Sequence, residues 1–389
     1  MTDSPQRIYL DNAATSWPKP DSVYDAVDQY QRHNGSPFGR GSHASGSEVY
    51  RIVNRCRQRV ANLLGVSAPQ RVIFTCNATD SLNQAIHGLL VPGDHVITSA
   101  LEHNSVLRPL HDLAERVGVQ LTVLQPNAQG VLSPDQITPA IRPDTRLIAL
   151  THASNVTGIV QPVLEIGEIA KEHSIPFLVD AAQTAGVVPI QFDESPFELL
   201  ACAGHKGLLG PLGTGILCLS PSMAEKLRPT RQGGTGTQSE SATQPTSLPD
   251  RFESGNHNVP GIVGLDAGVD YLLDRGIEEI RQQEEQALGQ LQRGLSQIEG
   301  VKLIGGDDVP KIGVVSVTSD LYDPQTLAAL LSQEFGIETR AGLHCAPQTH
   351  DWLQTTATGG TLRLSVGPFT TPQEIDRTIE AFEALHRSE

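Results

Sequence analysis

Lys206 stands where an apolar run gives way to glycine, in Ala201-Cys-Ala-Gly-His-Lys206-Gly-Leu-Leu-Gly-Pro-Leu-Gly-Thr-Gly-Ile-Leu217. An amine at the end of a buried segment loses solvent, which lowers its pKa and leaves a free amine able to form an imine. Lysines beside glycines also sit on exposed loops, so the neighbours decide. Phe177-Leu-Val-Asp180-Ala-Ala-Gln183 sets a carboxylate at the C-terminal end of an apolar strand, the edge where α/β sheets bind ligands. That carboxylate either caps the turn after it or, once buried, needs a cation such as a protonated pyridine nitrogen. Thr75-Cys-Asn-Ala-Thr79-Asp-Ser opens a helix with small polar residues, and free N–H groups at a helix start suit a phosphate. His103, in Leu101-Glu-His103-Asn-Ser105, and Asn155, in His152-Ala-Ser-Asn-Val-Thr-Gly158, follow two further strand ends. An imine-forming amine, a pyridinium partner, a donor to a phenolic oxygen (Gln183), a ring cover, a substrate contact and a phosphate cradle are the parts that pyridoxal phosphate requires.

Among the five cysteines, Cys56 falls in a helical pattern, and Cys76, Cys202 and Cys218 adjoin apolar strand segments. Thiols in such settings usually act as small hydrophobes. Cys345 differs. Arg340-Ala-Gly-Leu-His-Cys345-Ala-Pro347 reads as a loop, and Arg340, His344 and His350 around the thiol favour a mobile, exposed thiolate, which is a nucleophile. Metal binding by His344, Cys345 and His350 is the competing use, although no further ligand cluster completes it. Arg363, in Thr361-Leu-Arg-Leu-Ser365, offers a planar guanidinium that pairs bidentately with a carboxylate; an arginine on a strand can also snorkel outward.

These residues need elements to place them. From about residue 45 to 220, helical patterns alternate with short β-branched runs, the signature of a mostly parallel sheet. Strands are expected at 71–75, 95–98, 121–124, 146–150, 177–180 and 214–218, with helices at 48–64, 81–90, 105–117 and 163–173. Residues 228–250 are too polar to fold alone and read as a long loop. Beyond them, helical periodicity over 261–298, strands at 301–304, 312–317 and 361–365, and helices at 325–334 and 372–386 describe a small α+β unit.

Composition narrows the function. With 44 Asp plus Glu against 28 Lys plus Arg, the 389 residues carry a formal charge of −16, so no basic face is expected for a nucleic acid. Aromatic residues at 4% are too sparse for base-stacking platforms. No apolar stretch approaches the ~18 residues that span a bilayer. The first residues carry neither a basic-then-apolar leader nor a transit pattern, so no membrane is expected and the cytoplasm is the default. An odd number of widely spaced cysteines fits a reducing compartment.

Tyr9-Leu-Asp-Asn-Ala-Ala-Thr15, Leu101-Glu-His-Asn104, Asp180-Ala-Ala-Gln183, Gly204-His-Lys206 and Arg340-Ala-Gly-Leu-His-Cys345-Ala-Pro347 together resemble class V of the fold-type I pyridoxal-phosphate enzymes, and within it the SufS-like cysteine desulfurases. The resemblance runs in order from about Tyr9 to Arg363. It implies a large domain (21–255) with a mostly parallel seven-stranded sheet, a small α+β C-terminal domain (256–389), and an N-terminal segment (1–20) packed on the small domain. Lys206 would link covalently to pyridoxal 5'-phosphate, Asp180 partner its ring nitrogen, Gln183 its phenolic oxygen, and His103 stack on the ring and move a thiol proton. Ala78, Thr79 and His205 match phosphate-binding positions; Asn155 and Arg363, with Arg340, match positions that hold the substrate. Two positions depart from the pattern: Ala203 replaces a phosphate-contacting serine, and Asn256 stands where the partner subunit usually offers a threonine. The implied reaction converts L-cysteine to L-alanine with a persulfide on Cys345, for transfer to an acceptor protein or thiol in processes such as iron–sulfur cluster assembly, by a homodimer holding no metal. A cysteine or cystine C–S lyase, a selenocysteine lyase, a class V aminotransferase and a non-enzymatic nucleotide-binding or scaffold protein are the alternatives.

Overall fold

Strand residues pack alternately on opposite faces of a sheet, so an apolar run buried on both faces becomes a central strand. The computed structural model describes residues 7–39, 43–306 and 308–387. Its first strands, in chain order, are β1 (Ile8–Tyr9), β2 (Val72–Thr75), β3 (His95–Ser99), β4 (Gln120–Leu124), β5 (Thr145–Thr151), β6 (Phe177–Asp180), β7 (Leu199–Ala203) and β8 (Gly215–Leu219). Strands β2 to β8 form one seven-stranded sheet in the order β2-β8-β7-β6-β5-β3-β4. All neighbours are parallel except β8, which runs antiparallel to β2 and β7. Ile97, Ile148, Phe177 and Val179 feed the core on one face, and Val96, Leu147, Ala149 and Leu178 the core on the other. The helices Ala78–Leu89 and Asn104–Val117 cover the second face; Ala44–Leu64 and Val163–Glu172 cover the first. β7 is absent from the expected strands because its run, Leu-Leu-Ala-Cys-Ala, has no alternation and reads only as the lead-in to Lys206.

The stretch 228–250 forms no helix or strand, as its polarity predicts. The helical pattern after it is two helices, Val259–Arg275 and Ile277–Leu295, interrupted at Gly276, whose φ of 81° suits glycine. Val259, Ile262, Leu265, Val269 and Leu272 of the first belong to the large core, whereas Leu288, Leu291 and Leu295 of the second belong to a smaller one. A division at 256 therefore falls ahead of a helix that packs with the large unit; by packing, the small unit begins within the second helix. Apolar spacing reveals that a helix buries a face, but not which core receives it.

The small unit contributes β9 (Val301–Ile304), β10 (Val314–Ser319), β11 (Ile337–Glu338), β12 (Arg340–Gly342) and β13 (Thr361–Ser365). Four of these make an antiparallel sheet ordered β12-β13-β10-β9, while β11 pairs in parallel with β1. Ile8 and Leu10 enter the same core as Leu291, Val317, Leu331 and Phe382, so β1 and the residue after it pack there. The chain then crosses to the large unit, where the Ser16 amide donates to the His205 carbonyl at 3.1 Å. Among the described residues, no helix is long and apolar enough to cross a membrane.

Candidate active site

Because β2, β7, β6, β5 and β3 all point one way, the segments leaving their C-terminal ends gather along a single edge of the sheet. Every expected site residue except Asn256 lines one cavity there, with Arg340, Cys345 and Arg363 supplied across it by the small unit. Lys206 lies in the turn between β7 and β8. Protein surrounds its amine, and burial, opposed by Asp180 and reinforced by Arg363 and Arg340, brings its pKa down to about 8. Asp180 ends β6 and accepts from the Ala182 amide at 2.9 Å. Burial raises its pKa, against the pull of that amide and of Lys206, so a cation placed in the cavity would restore the ionised form. Gln183 also faces the cavity and donates to the Ala13 carbonyl at 3.1 Å.

The start of the helix Ala78–Leu89 and His103 belong to one structure. Asn77 caps the helix Ala78–Leu89 by accepting from the Asp80 amide at 2.9 Å, so the first amides of this helix stay free at the cavity wall. His103 caps the next helix in the same way, its Nδ1 accepting from the Ser105 amide at 3.0 Å. A backbone amide can only donate, so the His103 proton sits on Nε2 and the ring's one lone pair is occupied. Burial, then Lys206, Arg340, Arg108 and Arg363, hold its pKa at about 4. In this state His103 donates from Nε2 and has no free nitrogen with which to take a thiol proton. Ser105 joins the two parts: its hydroxyl is 2.8 Å from His103 Nδ1 and 2.7 Å from the Thr79 hydroxyl. Ser105 has no role assigned by its local sequence beyond its place two residues after His103.

Arg363 is 2% exposed, its Nη2 pairs with Asp11 Oδ1 at 2.7 Å, and its Nη1 donates to the Asn155 carbonyl at 3.1 Å. The Asn155 side chain donates to the His344 carbonyl at 2.6 Å, tying the loop after β5 to the cysteine loop. Cys345 is exposed at the cavity wall, but its backbone is fixed rather than free: its carbonyl accepts from the Asn104 amide at 2.7 Å, and His344 and Cys345 both adopt left-handed φ values, 48° and 58°. The looseness expected of this loop overlooked that contact, which joins segments distant in sequence. Arg340, read as part of the same loop, lies on β12 directly opposite Arg363 on β13. The rival metal site is not assembled: among the described residues no three His, Cys, Asp or Glu side chains are grouped so that they could hold a metal ion.

Asn256 is exposed and lines a separate cleft with Thr75, Cys76, Arg231 and His257, outside the cavity of its own chain. Cys76, expected to be buried, is exposed beside it, while Cys56, Cys202 and Cys218 are buried. Burial also isolates Glu102, next to His103. Its Oε1 accepts from Ser99 Oγ and the Thr151 amide, yet burial raises its pKa to about 8, so it is largely protonated at neutral pH. His205 Nδ1 is likewise buried without a partner, in the cavity wall. An unpaired imidazole nitrogen, free helix amides and an uncompensated carboxylate ask for a phosphate at one end of the cavity and a cation at the other, which fits pyridoxal phosphate.

The chain matches the aminotransferase class-V family over residues 8–378. It is 34% identical over 382 residues to a protein named "probable cysteine desulfurase" from Methanothermobacter thermautotrophicus, covering 97% of this chain and 94% of the relative. The fold superposes on the apo structure of a cysteine desulfurase from Thermococcus onnurineus NA1 with a TM-score of 0.92 and 31% identity, covering 98% and 95% of the two chains. Against the cysteine desulfurase CsdA of Escherichia coli the TM-score is 0.86, with 28% identity and 97% and 94% coverage. This protein therefore belongs to the aminotransferase class-V family, in its cysteine desulfurase branch, a family of pyridoxal-phosphate-dependent enzymes.

Proposed function

We propose that this enzyme is a pyridoxal-phosphate-dependent cysteine desulfurase that takes sulfur from L-cysteine, releases L-alanine and leaves a persulfide on Cys345. One observation carries the reading: the exposed Cys345 thiol and the Lys206 amine face a single cavity together with a buried arginine. Lys206 would hold the cofactor aldehyde, Asp180 the ring nitrogen, Gln183 the phenolic oxygen, His103 the ring face, and Ala78, Thr79 and His205 the phosphate. When bound, the cofactor supplies an electron sink for bond changes at the substrate Cα.

Arg363 and Asn155 orient the amino acid through its carboxylate, with Arg340 adding positive charge beside them. Displaced by the substrate's amino group, the Lys206 amine would be free to take the Cα proton and to give a proton back to that carbon as alanine forms. The Cys345 thiolate attacks the substrate sulfur; an S–S bond forms, the Cβ–S bond breaks, and the electron pair left on carbon is protonated to give the methyl group of alanine. The outer sulfur then passes to a thiol on an acceptor protein or small molecule, a supply that iron–sulfur assembly can use. His103 assists by donating from Nε2. The exposed position of Asn256 outside its own cavity supports a homodimer in which it and the loop 228–250 approach the partner's site, and the chain's acidity and cysteine content support work in the cytoplasm away from nucleic acid. Product analysis tests the reaction: cysteine should yield alanine, and Cys345→Ala should abolish its formation. Pyruvate in place of alanine, or an unchanged rate in Cys345→Ala, would contradict the assignment.

A further inference from the structure

Lys19 lies just beyond the point where the chain crosses to the large unit, and its amine is fully engaged. Nζ donates to the Ser16 carbonyl at 2.8 Å, the Ser16 hydroxyl at 2.7 Å and the His205 carbonyl at 3.0 Å. The Ser16 hydroxyl has its own proton committed to the Lys206 carbonyl at 2.9 Å, so all three neighbours of Nζ accept. A neutral amine has only two protons to give; three acceptors require the charged form. Burial alone acts on this amine, lowering its pKa to about 8, which leaves it mostly charged at neutral pH. Among the described residues no carboxylate pairs with it. Lys19 is therefore a half-buried cation without a counter-charge.

The end of the cavity assigned above to the phosphate has the opposite need. Ala78, Thr79 and His205, with Asn77 and Ala203 beside them, include no lysine or arginine. His205 does not supply the charge, because burial, then Lys206 and Lys19, hold its pKa at about 4 and keep the imidazole neutral. Lys206, Arg340 and Arg363 have other tasks in that reading, at the aldehyde and the substrate. A doubly charged phosphate would thus meet hydrogen-bond donors but no cation of its own. Lys19 is the cation tied to that wall: it holds the His205 carbonyl together with the Thr15 hydroxyl at 3.0 Å and the Ser16 amide at 3.1 Å, and its field reaches the His205 imidazole. We propose that Lys19 is a positioning residue of the cofactor site: anchored on the His205 carbonyl, outside the cavity lining, it supplies the positive charge that helps hold the phosphate of pyridoxal 5'-phosphate. The proposal rests on Ala78, Thr79 and His205 being the phosphate site and adds the source of the charge.

The test strips the full-length enzyme of cofactor and titrates it back with pyridoxal 5'-phosphate or with pyridoxal, which lacks the phosphate, following binding by absorbance. In Lys19→Met the affinity for the phosphorylated form should fall about tenfold while that for pyridoxal changes little, the scale of one partly screened charge acting on a dianion. Lys19→Arg, which keeps the charge, should preserve the ratio of the two affinities. A lysine that merely ties a turn would weaken both ligands in parallel. A parallel loss or an unchanged ratio in Lys19→Met, or an equal fall of that ratio in Lys19→Arg, overturns the proposal. Should Lys19→Met fail to fold, Lys19→Gln, which keeps a donor for the His205 carbonyl, takes its place under the same criteria. The reading beneath the proposal has its own control: the wild-type protein should favour pyridoxal 5'-phosphate over pyridoxal, and Thr79→Val should reduce that preference. No preference in the wild type, or none lost in Thr79→Val, would overturn the phosphate assignment and this inference with it. A preference reduced in Thr79→Val but intact in Lys19→Met overturns the inference alone.

Discussion

A protonated lysine cannot attack an aldehyde, so the state of one amine governs how the cofactor is captured. Burial lowers Lys206 from its ordinary 10.5 to about 8, and the neutral fraction grows as pH rises through that value. The rate at which apoprotein takes up pyridoxal phosphate, followed by absorbance, should increase with pH around a midpoint near 8. Lys206→Ala should bind the cofactor without the covalent link and without its yellow band. Ser105 tests the coupling of His103 to Thr79. Ser105→Ala removes the hydroxyl shared by His103 and Thr79 and should weaken cofactor binding severalfold, read by dialysis against free cofactor. Lys206, Asp180 and His103 were legible because each declares itself beside a strand end. Asp11 was not: its partner lies 352 positions away, and nothing local marks an aspartate as paired with a particular arginine.

At the scale of elements, two short features aim the chemistry. Asn77 caps the helix that offers its amides to the cavity, and Asn77→Ala should cost about 1 kcal/mol of stability in a denaturant titration while loosening the cofactor. Gly204 sits where β7 turns toward Lys206, and any Cβ there would run into the Thr214 side chain. Gly204→Ala should displace the Lys206 turn and lower both the melting temperature and the fraction of cofactor bound. Most parallel strands and their helices could be read from β-branched runs and punctuation. β7 and β12 could not, the first because Leu-Leu-Ala-Cys-Ala holds no β-branched or aromatic residue, the second because three residues make no pattern.

The whole molecule depends on how its two units meet around the cavity. Glu284, on the first helix to reach the small core, is buried near Gly313, and burial raises its pKa from 4.5 to about 8. A carboxyl whose folded pKa is raised contributes most below its unfolded pKa and loses that contribution as pH climbs toward the folded one. Glu284→Gln should therefore raise the melting temperature by several degrees at about pH 8 and by little at about pH 5. The two-unit plan was visible in the shift of composition at 228–250, but the packing of the helix Val259–Arg275 on the large core was not, since an apolar stripe does not name its partner. The cavity between the units brings Lys206 and Cys345 together, and a sulfur atom can pass to Cys345 only if that arrangement works as described. Incubating the holoenzyme with L-cysteine in the absence of reductant, then weighing the peptide that contains Cys345, measures this directly. The account predicts a gain of one sulfur atom on that peptide, absent in Lys206→Ala; an unmodified Cys345 peptide after cysteine has been consumed would contradict it.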